Sequence, residues 1–240
     1  WRPTLFLEAY RSTRHVEEDV INRDLNFRLF NRTFTLNEIN FGLKNRISQG
    51  GILDARFIYS RYGNAVDQAF FNGRNRSTLG ATYLNGFNLS LSYHMNSISQ
   101  AKDSEINPRS GREIAIKYDR FFNFFLRDFK ENSSIVIELY DKYFYNQFTV
   151  DWKEYLPVGP NRSAIGFRFY GGLIDRRVDD FFDFHLGGLP FMKGYTFYNL
   201  EGSRAAMFRA AYRFPLWIGI DNQTGPLYSD QLFGSIYGGI

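Results

Sequence analysis

Residues 86–96 read Gly-Phe-Asn-Leu-Ser-Leu-Ser-Tyr-His-Met-Asn. In an extended chain successive side chains point to opposite faces, so Phe87, Leu89, Leu91, Tyr93 and Met95 share one face and Asn88, Ser90, Ser92, His94 and Asn96 the other. The same period of two returns along the chain. Ile114, Ile116 and Tyr118 oppose Glu113, Lys117 and Asp119, and Phe148, Val150 and Trp152 oppose Thr149, Asp151 and Lys153. Further on, Ile165, Phe167, Phe169 and Leu173 oppose Gly166, Arg168 and Tyr170, and Phe208, Ala210, Tyr212 and Phe214 oppose Met207, Arg209 and Arg213. A soluble sandwich also alternates, but here one face is heavily aromatic and the other carries full charges. Lipid on the outside and a wet lumen within require that pattern. The chain is therefore expected to be all-β, an antiparallel transmembrane β-barrel forming one domain over residues 1–240.

Composition agrees with this class. The chain has 26 Phe, 16 Tyr and 3 Trp in 240 residues, with negative mean hydropathy. That is too polar for a helical membrane protein and unusually aromatic for a soluble one. No apolar run approaches the length of a membrane-spanning helix. The absence of Cys removes disulfides and thiolate metal sites. A net charge of +4, dispersed along strands and loops, gives nucleic acid little to bind. A start at Trp1 without Met or signal peptide suggests a processed chain or an excised piece.

About a dozen strands are predicted, at 3–11, 25–31, 34–47, 51–62, 76–84, 86–97, 111–121, 135–145, 147–157, 161–174, 202–216 and 231–240. Turn signals separate most of them: Asn31-Arg32, Gln49-Gly50-Gly51, Asn85-Gly86 and Pro157 to Asn161. Strand 135–145 is the weakest, because its apolar phase slips near Tyr143 to Asn146. It reads either as one long bulged strand with the next or as part of a loop. The longest gap is 175–201.

That gap carries Gly187-Gly188 and Lys193-Gly194-Tyr195 ahead of a strand, within GGLPFMKGYTFYNLEGSRAAMFRAAYRFPL at 187–216. The stretch resembles the lumen-folded loop and following strand of the BamA/TamA-type outer-membrane insertase and translocase superfamily, which has Arg-Gly-Phe or Arg-Gly-Tyr there. Asn107-Pro108-Arg109-Ser110-Gly111 before REIAIKYDRF is similar to the family's Pro-x-x-Gly lead into a strand. NQFTVDWKEYLPVGPNRSAIGFRFYGG at 146–172 is similar to its next hairpin. The signatures run in order over 107–216, while 1–106 matches only in general barrel character.

The resemblance implies a complete barrel of about sixteen strands, of which about twelve lie here, ending at Ile240 before the last ones. It also implies upstream periplasmic peptide-transport repeats, which this sequence does not include. Lys193 stands where Arg is usual and lacks its bidentate fork. Lys193, Gly194 and Tyr195 would hold the loop in the lumen, with Gly187 and Gly188 supplying the bend. Glu113, Lys117, Asp119, Asp151, Arg168, Arg209 and Arg213 would line the lumen wall. The family orientation puts 175–201 outside the cell and 98–110 on the periplasmic side, whereas the habit of long outer loops puts 98–110 outside. The strand division within 122–147 decides between them.

By resemblance the function is outer-membrane protein assembly or protein translocation in a Gram-negative-type outer membrane. The partners implied are lipid and lipopolysaccharide, client outer-membrane or secreted proteins, and accessory lipoproteins. Two other readings stay open, a passive pore or transporter tuned by the wall charges and a membrane anchor for a fused upstream domain. The 175–201 loop is equally readable as a plug that only stiffens the barrel. No enzyme, cofactor or metal site is expected. His15, His94 and His185 are scattered, no Gly-x-Ser-x-Gly elbow or Gly-Lys-Ser/Thr cradle occurs, and Asp179-Asp180 and Glu17-Glu18-Asp19 read as solvated loop charge. Trp152, Tyr118, Tyr93 and Tyr212 read as interfacial girdle rings.

Overall fold

Each strand of the main sheet lies beside its neighbour in sequence, as short antiparallel connections dictate. The computed structural model describes residues 2–18, 30–69, 76–99, 108–132, 135–159, 162–188, 196, 200–225 and 227–240. Within them the strands are β1 (Thr4–Glu18), β2 (Phe30–Arg46), β3 (Gly51–Ala69), β4 (Arg76–Asn96), β5 (Gly111–Asn132), β6 (Ile135–Val158), β7 (Ser163–Ile174), β8 (Phe184–Leu186), β9 (Leu200–Gly202), β10 (Arg204–Thr224) and β11 (Leu227–Gly239). Nine make one antiparallel sheet in the order β1-β2-β3-β4-β5-β6-β7-β10-β11, and β8 pairs separately with β9. Among the described residues no helix is long and apolar enough to cross a membrane.

The all-β antiparallel architecture expected from the period of two is present, but the expected closed cylinder is not. β1 and β11 are the two edges of an open sheet and do not pair with each other. Several strand limits also differ from the sequence reading. Residues 76–84 and 86–97 are a single strand, β4, and Asn85-Gly86 runs straight through it, opposite Arg61-Ser60 and Phe124-Asn123. Asn31-Arg32 likewise lies inside β2, paired with Glu17 and Val16, and residues 25–29 lie outside the described residues. The Gln49-Gly50-Gly51 turn is where it was expected, joining β2 to β3.

Residues 135–145 and 147–157 are one strand, β6, 24 residues long. The apparent slip at Tyr143 to Asn146 has a physical cause: both faces are aromatic there. Tyr145 is buried against the loop after β7, while Phe144 packs on Phe122 and Phe124 of the opposite face. Merging the two strands leaves three, β5, β6 and β7, between the 97–110 and 175–203 connections. Those connections therefore leave opposite ends of the sheet.

Among the described residues the register shifts at four places, two of them between β10 and β11 at Pro215/Trp217 and Ile218/Asn222, and two as bulges nearer the middle of the sheet. At Tyr62/Gly63 the facing chain of β4 has an extra residue, and Tyr83 turns toward Tyr62 and Phe34, with ring centroids 5.7 and 6.4 Å away. The second bulge lies at Leu126/Asp128 on β5. Beyond Leu84↔Phe125 the β4–β5 pairing stops, while β5 and β6 continue together to Asn132↔Ile135.

Candidate functional site

The two faces of the sheet differ in the opposite sense from a water-soluble protein. Phe41, Phe57, Leu89, Ile116, Trp152, Phe169, Phe208 and Tyr212 are exposed on one face. On the other Asn40, Asp54, Asn88, Ser90, Asp119 and Asn123 are buried. The numbers are wide apart: Phe41 is 53 % and Leu89 49 % exposed, against 3 % for Asp119 and 6 % for Asn123.

On the polar face the wall charges meet across strands, because side chains opposite each other in an antiparallel pair lie within reach. Asp151 of β6 accepts two hydrogen bonds from the Arg168 guanidinium of β7, at 2.9 and 2.7 Å. Such a fork is the strong, directional form of an ion pair. Glu113 of β5 takes Lys153 at 2.9 Å and His94 at 3.2 Å. Lys117 reaches Asp119, two residues along the same strand, at 2.9 Å, and Asn88 donates to the same carboxylate at 3.3 Å. Arg209 is the register partner of Arg168, and the Arg213 guanidinium lies 5.6 Å from the centre of the Tyr155 ring. All seven wall residues named from sequence thus share one face. Arg168, Arg209 and Arg213 give its β7–β10 part a cationic character, with Asp151 among them.

At the other end of the same strands the loop after β7 folds onto this face. Asp175 begins it: Asn146 donates to the carboxylate from its backbone N–H at 2.8 Å and from its side chain at 2.5 Å. Desolvation acts upward on that carboxyl, but the Asn146 hydrogen bonds and nearby Arg176 and Arg120 bring it below the usual carboxylate range. A single 3₁₀ turn follows at Asp180–Phe182. Asp179 caps it by accepting from the Phe181 N–H at 3.0 Å. The turn drives two adjacent rings into the wall. Phe182 lies 5.5 Å from Phe125, 5.5 Å from Tyr143 and 5.7 Å from Tyr145, and Phe181 lies 5.4 Å from Phe125 and 6.4 Å from Tyr83.

Phe184 completes the nest. It is buried with Tyr145, Ile174 and Val178, and its ring sits on Gly172, where a Cβ would fall 2.7 Å from the ring. A side chain at 172 would have to push the ring aside. Burial of each such ring is worth about 1.5–3 kcal/mol, and ring pairs add about 0.5–1.5 kcal/mol. Asp183, between the rings, is pushed above the ordinary carboxylate range by desolvation and then by neighbouring Asp180 and Glu201, with His185 opposing. A hollow of about 300 Å³ remains between nest and wall, reached by Glu38, Ser60, Tyr62, Asn88 and Asn123.

Gly187 and Gly188 are buried just after β8 with φ of 127° and 74°, a bend that suits glycine. Lys193, Gly194 and Tyr195 lie outside the described residues. Sequence reasoning missed Phe181, Phe182 and Phe184, and read Asp179 and Asp180 as solvated charge although Asp179 is the cap. The signal was there: Asp-Phe-Phe-Asp-Phe in the gap, and two inward tyrosines that spoil the alternation of β6. Of the histidines, His15 bonds Thr33 at 3.0 Å, His94 bonds Glu113, and His185 bonds the Asp183 carbonyl at 2.8 Å. Trp152 and Tyr212 lie on the exposed apolar face, as does Tyr118, whose hydroxyl donates to Asn146 at 2.8 Å. No family model matches the chain, and comparison with curated proteins finds no match.

Proposed function

We propose that the chain is barrel wall in the outer membrane of a Gram-negative-type bacterium. In this reading its charged face turns to a water-filled lumen, and it acts in outer-membrane protein assembly or translocation, like the insertase/translocase superfamily it resembles. One observation carries the barrel: carboxylates and amides are buried on one face while rings and aliphatic chains stand exposed on the other. In water each large apolar side chain left outside forgoes about 1.5–3 kcal/mol. With acyl chains as the outer solvent that cost disappears. The apolar run also crosses the sheet obliquely. A row of register partners starting at Phe41 passes Phe57 and Leu89, then meets Arg120 and Asn146, while the exposed apolar residues of β7 and β10 lie toward the other end. Strands tilted against a level membrane give such a slant.

The assembly role is supported by the resemblance and by the docked loop, which the aromatic nest holds against the face that would line the lumen. Reconstituted into phosphatidylcholine vesicles, the protein is expected to speed insertion of a urea-unfolded outer-membrane barrel over empty vesicles. Equal rates would remove the insertase role and leave the barrel. A monomer freely soluble without detergent would remove the barrel itself. The second reading, a pore, is favoured by the cationic group Arg168, Arg209 and Arg213. It requires anion-selective conductance that rises when residues 175–201 are deleted.

A further inference from the structure

The exposed face carries a polar row whose position the barrel wall alone does not require. Arg11, Asn37, Arg61 and Asn85 are successive register partners across β1, β2, β3 and β4. Two residues further along each strand, on the same face, come Ala9, Ile39, Tyr59 and Phe87, and then Leu7, Phe41, Phe57 and Leu89. Polar row and apolar field thus share one sharp boundary over four strands. Above the row the surface is hollowed, because Gly63 and Gly80 leave no side chain there. Two adjoining hollows of about 390 and 380 Å³ share Arg61, Thr82 and Glu138.

The polar groups are set rather than loose. Arg61 donates to the neutral Thr82 hydroxyl from Nε at 3.2 Å and from Nη2 at 2.9 Å, with the Glu138 carboxylate in the same hollows held by other donors. Where β5 has parted from β4, the Tyr140 hydroxyl donates to the Thr82 carbonyl at 2.7 Å, and Glu138 accepts from the Thr82 N–H at 3.4 Å. The Tyr140 hydroxyl also lies beside the Glu138 carboxylate, so its one proton is shared between the two acceptors. Asn85 Oδ1 is buried with no hydrogen-bond partner. Arg11 and Arg61 stand two strands apart, roughly 10 Å, with Asn37 between them.

We propose that this row and its hollows bind the phosphate-bearing, hydroxylated headgroup of an anionic lipid. Arg11 and Arg61 take the phosphate oxygens, and the exposed Asn37 between them takes a headgroup hydroxyl. The acyl chains run down the face over Ile39, Phe57 and Phe87. Arginine suits phosphate because its donors fork onto two oxygens, and a headgroup anchored at such a boundary has its chains already beside the apolar field. The site rests on the barrel reading, which makes this face the lipid-facing one.

The chain has no Cys, so Phe57→Cys and Phe208→Cys each accept a single fluorophore, one below the row and one remote on β10. The labelled protein is placed in phosphatidylcholine vesicles containing either brominated phosphatidylglycerol or brominated phosphatidylcholine. Quenching at position 57 is expected to favour phosphatidylglycerol about five-fold for each arginine engaged, with no preference at position 208. Arg11→Gln and Arg61→Gln should each lower the preference and together abolish it. Unchanged quenching by brominated phosphatidylcholine checks that the variants stay inserted, and either single variant serves if the double does not insert. Equal quenching by the two lipids at position 57, or equal preference at both positions, overturns the headgroup site while leaving the barrel. A preference abolished by added glycerol 3-phosphate overturns the lipid as occupant in favour of a free phosphate. No quenching by either lipid at position 57 overturns the barrel reading and this site with it.

Discussion

β5 and β6 face two different surroundings along the same side. At one end Glu113 and Lys153 form part of a ladder of paired charges, and at the other Phe125, Tyr143 and Tyr145 form the floor of an aromatic nest. The opposite face carries Ile114 and Trp152 behind the first stretch and Phe122, Phe124 and Phe144 behind the second, with Arg112, Glu154, Arg120 and Asn146 among them. What differs is the cover: in the proposed barrel, water bathes the ladder, whereas the loop after β7 lies over the nest. The period of two is therefore a record of what touches each face, not of strand structure alone. Where the loop packs on the sheet the strand persists and the alternation fades.

The comparison breaks most severely if the nest does not hold the loop. Phe184→Ala removes a buried ring from between Tyr145, Ile174 and Val178, and a change of that kind costs about 3–5 kcal/mol. The exposed Arg176-Arg177 pair is then expected to be cut by trypsin about a hundred-fold faster, since each 1.4 kcal/mol of local opening is about ten-fold. Cleavage at the parent rate would mean that something else holds the segment. Phe208→Ala, on the exposed face, should leave the rate unchanged. Gly172→Ala tests the same contact from below. Its Cβ would stand 2.7 Å from the Phe184 ring, and overpacking costs about 1–3 kcal/mol, so cleavage should quicken less than in Phe184→Ala. A Gly172→Ala protein as resistant as the parent would show that the ring can move aside.

The same contrast explains what the sequence made legible. Where polar side chains pair with one another on one face, residues such as Asn88, Ser90, Lys117 and Asp119 stand opposite rings and aliphatic chains, and both the strands and the shared face of the seven charges could be read. At Tyr143 to Tyr145 aromatic side chains meet a partner on both faces, so pattern could not separate strand from loop. Asn85-Gly86 looked like a turn because turn chemistry is local, whereas Gly86 lies buried in the middle of a strand, where register pairs it with Asn123. Pattern named Gly187 and Gly188 but passed over Asp179 and the three rings after it. A single 3₁₀ turn has no period to detect, and its place is fixed by rings far away in sequence.

On the ladder side, Asp151→Asn removes the carboxylate that takes the Arg168 fork. Hydrogen bonds to charged groups contribute about 1.5–3 kcal/mol, less where solvent reaches them as it does here, so a loss of about 1–2 kcal/mol in thermal unfolding is expected. It also leaves Arg168, Arg209 and Arg213 without Asp151 to offset them. If the wall lines an aqueous bore, the reversal potential in a salt gradient shifts toward anion selectivity. An unshifted potential with lowered stability would make the pair structural only. Loop cleavage should change far less than in Phe184→Ala, because Arg168 stands four residues before Gly172 on β7, roughly 13 Å along the strand.

The smallest effect concerns pH, and the two ends of the loop should respond with opposite sign. Asp183 has its carboxyl raised in the folded state, by desolvation and then by Asp180 and Glu201. Folding therefore favours its protonated form, and the stability it contributes is full below the ordinary carboxylate range and is lost as pH rises through the raised value. Asp175 is lowered by its Asn146 hydrogen bonds against desolvation. Its contribution is present above the ordinary range and is lost as pH falls through the lowered value. Docking should thus weaken as pH rises above the ordinary carboxylate range through Asp183, and as pH falls below that range through Asp175. Asp183→Asn should flatten the first limb and Asp175→Asn the second. A fluorophore on Asp180→Cys, read from pH 3 to 8 as an approximate range around the carboxylate values, follows docking without a protease whose own activity varies with pH. If Asp183→Asn leaves the upper limb as steep as in the parent, the nest does not sense that carboxylate. The loop would then be held by its rings alone, the sharpest form of the contrast with the charged ladder.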